Sequence, residues 1–320
     1  MSRSSSCRHG ARTSPPWSAD VRVILTGASG FVGTRLAHAL VSANVGVVNV
    51  GRHSCLVPGV ENVLVPALAP EHLAASLPSG FDGLIHLAAA GVKPSDRDVS
   101  TVTGVNSTLM PYLVSLASQR GIKAVVTVGS SAEYSAIGAH GPLDEESQLE
   151  THKLYGASKA AGGILALATG AASNVPVAVV RLFNVYGPGE AAHRLLPSLA
   201  AGLRAGQPVK LSAGTQIRDF VYVDDASNGL IAVLNALISG QLPSGAFNLA
   251  TGVGQTVADF ARQACEALGA APELLQLGVL PMRPDDLPYV VGNPGKLQAA
   301  CGWHTSTSLS EGIRRALAEI

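Results

Sequence analysis

A tyrosine and a lysine stand four residues apart in a run of small residues, LETHKLYGASKAAGG at positions 149–163. On a helix that spacing puts Tyr155 and Lys159 on one face, with Cβ atoms about 5–6 Å apart. A phenol and an ammonium sit poorly on a face of Ala, Gly and Ser unless something else fills the space between them. Together they suit proton transfer. A free phenol ionises near pKa ~10, too high to act as a base at neutral pH, and a nearby cation favours its ionised form.

A second chemical signature lies near the start. TGASGFVG follows the first apolar run, with Gly27, Gly30 and Gly33 at its corners and Ser29, Phe31 and Val32 between them. Glycine allows a tight turn and close approach of backbone to a pyrophosphate. The helix that follows offers free N–H groups and a positive dipole end to phosphate. The spacing is GxxGxxG rather than the GxGxxG of the dinucleotide fingerprint. At the end of the second strand an acid would bind a ribose 2′-hydroxyl, whereas an arginine accommodates a 2′-phosphate. The chain reads VVNVGRH there, with Arg52 and no carboxylate. That favours NADP over NAD, although Arg52 also reads as an ordinary solvated turn residue.

These residues need a frame, and the hydrophobic pattern supplies one. Short apolar runs at 21–27, 45–50, 62–65, 82–89, 123–130 and 175–183 read as strands. Helical stretches fall between them at about 31–43 and 105–119 and around Tyr155. Continuously apolar strands alternating with helices indicate a parallel sheet covered on both faces. The expected fold class is α/β, a Rossmann-type doubly wound parallel sheet with a smaller C-terminal substrate-binding lobe. The nucleotide domain is expected over 21–183, receiving parts of about 215–250, and the lobe over 184–214 and 251–320. Further helices are expected at about 195–206 and 226–238. Asp224 and Asp225 read as caps of the latter. Thr256 with Asp259, and Ser308 with Glu311, read as capping boxes.

Bulk composition narrows the classes. The 320 residues exceed what one core usually serves. Charged residues make up 14%, against the usual ~25%, which favours an oligomer with little charged surface. Lys and Arg total 22 and so do Asp and Glu, with no basic stripe, so nucleic acid is not an expected partner. Cys7, Cys55, Cys265 and Cys301 are scattered and no histidine pair has ligand spacing, so no metal is expected. Residues 1–20 are rich in Ser, Arg and Pro without the apolar stretch of a secretory signal, and read as a disordered extension. No run is long and apolar enough to span a membrane, and a cytoplasmic protein is expected.

Taken together, TGASGFVG, HLAA at the fourth strand, GSSAEY at the fifth and YGASK resemble the extended short-chain dehydrogenase/reductase family. Within it they resemble the NAD(P)-dependent nucleotide-sugar epimerases, dehydratases and reductases. The resemblance spans about 21–320. It implies that Tyr155 is the catalytic phenol and that Lys159 holds the cofactor ribose and lowers the phenol's pKa. It further implies that Ser130, four residues before Tyr134, hydrogen-bonds the reacting oxygen, with Ser131 as its neighbour toward the substrate. Asn106 in GVNSTL would support the site through water or backbone, or read simply as a helix-surface amide. Leu87, Ala88 and Ala89 would line the cofactor, and Leu68 the adenine, beside Ala67 where the family usually has aspartate. Asn184, Arg218 and Arg283 would contact the sugar nucleotide, the two arginines as a bidentate diphosphate clamp or as interdomain ion pairs. A homodimer formed through two helices of the nucleotide domain is the family's habit.

Departures from the family patterns bear on the reaction. Its dehydratases carry an Asp–Glu pair directly after the catalytic hydroxyl, and this chain has Ser131 and Ala132. Reductases that also epimerise carbons 3 and 5 place a cysteine at the Ala132 position. The tail RPDDLPYVVGNPGKLQAACGW resembles the sugar-nucleotide reductases more than the epimerases. The leading expectation is an NADP-dependent NDP-4-keto-6-deoxyhexose 4-reductase, with an NAD-dependent nucleotide-sugar 4-epimerase as the alternative. A non-catalytic dinucleotide-binding sensor on the same fold is the alternative from another class, and the retained Ser130, Tyr155 and Lys159 stand against it.

Overall fold

The structure is a computed structural model that describes residues 21–283 and 286–320; the extension expected at 1–20 lies outside the described residues. The first half alternates as the hydrophobic pattern requires. It runs β1 (Arg22–Thr26), α1 (Phe31–Ser42), β2 (Gly46–Gly51), β3 (Val60–Leu64), α2 (Pro70–Ser76), β4 (Gly83–His86), α3 (Val99–Thr103), α4 (Leu109–Gln119), β5 (Ala124–Ser130), α5 (Leu154–Ser173) and β6 (Val177–Leu182). The second half adds β7 (Asn184–Tyr186), α6 (Leu195–Arg204), β8 (Val209–Lys210), β9 (Ile217–Tyr222), α7 (Val223–Ile238), β10 (Gly245–Leu249), β11 (Gly254–Thr256), α8 (Val257–Ala267), β12 (Leu275–Gln276), β13 (Tyr289–Val290), α9 (Gly295–Cys301) and α10 (Leu309–Glu319).

Seven strands form one parallel sheet in the order β3-β2-β1-β4-β5-β6-β10. The strand order reverses between β1 and β4, and such a switch point opens a crevice at the carboxyl ends of the strands. The central strands are buried on both faces because helices cover each side. One apolar core joins α1 and α7 to the sheet, and another joins α2 and α4 to it. After β7 the chain builds a small sheet around β9, flanked by β11 and β13, and a two-stranded pair of β8 with β12. The chain then returns, because α7 packs on α1 and β10 extends the main sheet beside β6.

Two local expectations change and one holds. The single helix expected over 105–119 is interrupted by a π-helical turn, Gly104–Thr108, between α3 and α4. The extra residue per turn brings Asn106 inward, where its side chain is fully buried. Asp224 and Asp225 do not cap α7, which starts at Tyr222 without a side-chain cap. Asp224 pairs with Arg35 of α1 at 2.9 Å, and Asp225 accepts hydrogen bonds from Ser306 and Thr307, so both tie α7 to distant segments instead. Thr256 and Ser308 do cap their helices, accepting from the backbone N–H groups of Asp259 and Glu311.

Helix α5 lies close against its neighbours because its inner face is made of glycine, alanine and serine. A Cβ on Gly162 would lie 2.8 Å from the Met110 sulfur and closer still to the Asn106 carbonyl oxygen. Replacing Gly162 by alanine should therefore lower unfolding free energy by ~1–3 kcal/mol through overpacking. Gly104→Ala, where an added methyl meets nothing within 4 Å, is the control expected to change it little, both read by urea denaturation.

Candidate active site

The crevice at the switch point has a glycine floor. Gly27 has φ +80°, and a Cβ there would stand 2.7 Å from the Ala88 nitrogen. A side chain on Gly33 would run into the Gly27 carbonyl, so at these glycines backbone meets backbone directly. Helix α1 begins at Gly30 with no side-chain cap and no acid in its first turn. Its N–H groups are left for an anion. Two cavities adjoin over this turn and share Gly27, Gly30, Leu87 and Ala89. One, of about 680 Å³, is bordered by Ser29, Arg52, Leu68 and Ala88, with Asn49 and His53 beside them. The other, of about 590 Å³, is bordered by Phe31, Val32 and Gly33 and continues to Ser130, Tyr155 and Lys159. A cradle that any Cβ would fill, with uncapped N–H groups above it, fits the pyrophosphate of a dinucleotide.

At the far end, β5 delivers Ser130 and the first two turns of α5 deliver Tyr155 and Lys159. The Ser130 hydroxyl lies on the Tyr155 side of the same cleft and favours the phenol's ionised form. Burial pushes that phenol above its usual range, and the Ser130 hydroxyl opposes the shift. Lys159 is 2% exposed and its ammonium donates to the Val128 carbonyl at 2.6 Å. Burial pushes its pKa down to about 8, opposed by the charge of Glu133. His86, beneath it on β4, is pushed down to about 3 by burial and, secondarily, by Lys159, so it is neutral. Desolvation dominates the phenol, and Arg97 and Arg194 are among the charges that favour its ionised form.

Asn106 lies behind the cleft and does not border it. Its amide bridges α5 and the loop after β4, accepting from Ala90 N–H and donating to Ala90 O, each at 2.9 Å, and donating to Ser158 at 3.1 Å. Ser158 in turn donates to the Tyr155 carbonyl. Asn106 thus holds backbone on two sides of the phenol.

On the substrate side, Ser131 and Asn184 border the cleft, but Arg218 and Arg283 do not. Arg218 pairs with Asp286 and donates to the Leu287 carbonyl at 2.7 Å, and Arg283 is exposed. The expected two-arginine clamp is not assembled here, because Arg218 already has a carboxylate partner. The cations that do border the cleft are Lys93, Arg97 and Arg194, with His193 beside them and Glu190 facing them. Burial raises the Glu190 pKa. Sequence reading passed over all five. The i, i+4 spacing of Glu190 and Arg194 directly after YGPG was the signal that could have found that pair.

A family model described as the NAD dependent epimerase/dehydratase family matches residues 23–250, and the chain belongs to that family, within the extended short-chain dehydrogenase/reductases. It is 26% identical over 318 residues to a dTDP-glucose 4,6-dehydratase of Streptomyces griseus, covering 92% of this chain and 93% of that one. It is 25% identical to a probable UDP-glucuronate 4-epimerase of Rhizobium meliloti, covering 92% of this chain and 95% of that one. Among solved structures it resembles MoeE5 in complex with UDP-glucose and NAD, with TM-score 0.81, 27% identity and coverage of 93% and 98%. A UDP-galactose 4-epimerase follows with TM-score 0.78, 26% identity and the same coverage.

The site combines a hydroxyl pair able to pass a proton with a buried cation beside it. Tyr155→Phe should lower turnover by ~10²–10⁴-fold and Ser130→Ala by ~10²-fold, with dinucleotide affinity nearly unchanged, as read by steady-state kinetics and fluorescence titration. Stability carries a second signature. The unfolded chain holds the Lys159 proton up to pKa 10.5, the folded chain only to about 8, so folding gains stability as pH rises through that window. Unfolding free energy of the wild type relative to Lys159→Met should rise between pH 8 and 10, measured by denaturation across that range.

Proposed function

We propose that the chain transfers hydride at carbon 4 of a nucleotide sugar, as an NADP-dependent 4-reductase of an NDP-4-keto-6-deoxyhexose. The observation that carries this reading is the acid held at the site. Tyr155 and Ser130 border the same cleft as the glycine cradle, burial moves the phenol's pKa further above its usual value, and a ketone reduction needs a proton donor at that place. The cofactor would supply the hydride when bound to the glycine cradle. Tyr155 would give its proton to the carbonyl oxygen, Ser130 would hydrogen-bond that oxygen as negative charge grows, and Lys159 would hold the ribose and replenish charge balance.

Two further features support it. Ser131 and Ala132 occupy the positions where a dehydratase of this family needs acid and base. Glu133, next in line, is fully buried in an ion pair with Arg181 and cannot replace them. Arg52 borders the outer cavity, and Asn49 and Gly51 stand where an NAD enzyme would present a carboxylate. The relatives and solved neighbours are dehydratases and epimerases, some with NAD, and they favour the second reading, a 4-epimerase that takes hydride from carbon 4 and returns it to the other face. A substrate of either kind would enter between Asn184 and Arg194. Two copies would pair through α4 and α5, whose outer surface leaves Ile164 and Leu165 half exposed.

The purified protein should consume NADPH, followed at 340 nm, when given a 4-keto-6-deoxy nucleotide sugar. Interconversion of two sugar epimers without net cofactor change would establish the epimerase instead, and dinucleotide binding without turnover, unaltered by Tyr155→Phe, would establish a sensor. Arg52→Ala should weaken NADPH by ~10-fold and leave NADH nearly unchanged, as loss of one charge-assisted phosphate contact implies.

A further inference from the structure

Beneath the cleft lies a carboxylate that none of the chemistry above uses. Glu133 follows Ser130 by three residues, in the short 3₁₀ turn that closes β5, and is fully buried. One oxygen accepts from the Ser130 N–H at 2.9 Å and the other from Arg181 Nε at 2.8 Å. Gly129 makes room for it. A Cβ at that position would collide with the Glu133 carboxylate, so only bare backbone lets the carboxylate rest against the strand. The next residue up the strand is Val128, whose carbonyl holds the Lys159 ammonium. A single buried acid therefore sits one residue from the anchor of the buried lysine and directly on the backbone of the catalytic serine.

We propose that Glu133 is a positioning residue for the hydride-transfer site, fixing Ser130 at the strand end and serving as the counter-charge of the buried Lys159 ammonium. The proposal rests on the functional reading above for its consequence in turnover, but its physical content concerns only this chain's own groups. An ammonium in a site that excludes water is unstable without opposite charge nearby. Facing Lys159 are the neutral His86 from β4 and the protonated Tyr155 from its own helix, neither of which supplies negative charge. Glu133 is the charge that acts on Lys159 and favours its protonated form. The cations Arg97 and Arg194 act on Tyr155, and Glu190 lies across the cleft against Arg194.

Behind Glu133, Arg181 spreads the clamp into the core. It donates to the Tyr134 hydroxyl at 2.9 Å and to the Glu145 carbonyl at 3.1 Å. Tyr134 donates to Asn248 of β10 at 2.6 Å, and the Glu145 carboxylate accepts from the Asn248 N–H at 2.7 Å. The Glu133 backbone carbonyl accepts from Glu150 N–H at 2.7 Å, just ahead of α5. Both oxygens of Glu133 and the Nε and Nη1 of Arg181 are engaged, and such partners are what lets a buried ion pair hold a geometry.

The test separates a charge effect from a structural one. Glu133→Gln alone leaves the buried Arg181 without its carboxylate, which endangers the fold. The double variant Glu133→Gln/Arg181→Met removes both charges, keeps an amide oxygen for the Ser130 N–H, and should fold, as checked by circular dichroism. In the ligand-free protein the ¹³C resonance of the Lys159 ε-carbon, assigned with Lys159→Met, should titrate near 8 in the wild type. In the double variant it should titrate lower by roughly one pH unit, the size of shift one nearby charge produces. The pH profile of turnover should move with it. An unmoved lysine titration in a folded double variant overturns the proposal, as does an unchanged pH profile with full activity, the result expected if the pair only braces the fold. The resonance needs no substrate, so failure to reduce any keto sugar would count against the functional reading and leave this measurement standing.

Discussion

A lysine pushed end-on into the edge of a parallel sheet sets the terms for everything around it. Lys159 reaches from α5 to the Val128 carbonyl with its side chain almost wholly buried at the wall of the cleft. Holding that ammonium there requires a helix close enough for its side chain to reach the strand, a backbone acceptor at the right height and an opposite charge within range. The first requirement explains the run of Gly and Ala along α5. The second explains why the strand ends where it does. The third is met by Glu133, which also receives the Ser130 N–H, so the serine and the lysine share one support.

Much of this was legible in the residue order, and the reason is locality. Strands and their order of alternation follow from short apolar runs, and the cradle follows from three glycines within seven residues. Ser130, Tyr155 and Lys159 were readable because a motif fixes their spacing. Residues whose placement depends on a distant partner were not. Arg218 read equally as a diphosphate clamp or as one half of an ion pair, and it is Asp286, 68 positions later, that holds it. Glu133 gave no signal at all, because its partner Arg181 lies 48 positions away. The break at Asn106 escaped because one extra residue in a helix hardly disturbs hydrophobic periodicity, while its cause lies in α5 and in the loop after β4.

The family runs several reactions on one scaffold, and in this chain the distinction narrows to very few atoms. Two small side chains, Ser131 and Ala132, replace groups that would otherwise add acid–base capacity beside the reacting carbon. What is left is a phenol whose pKa burial raises, opposed by the Ser130 hydroxyl.

The make-up of α5 has a bearing on how the molecule comes into being. Each of its four glycines disfavours a free helix by about 1 kcal/mol relative to alanine, so the segment has little tendency to coil before the sheet exists. The last strand of that sheet, β10, carries Asn248 and leaves the ribosome roughly ninety residues after Tyr155. A nascent chain stopped short of β10 carries every reactive side chain and lacks the anchor of Tyr134. The support that β10 gives to Tyr134 is thereby in place only after nearly four-fifths of the polypeptide has emerged.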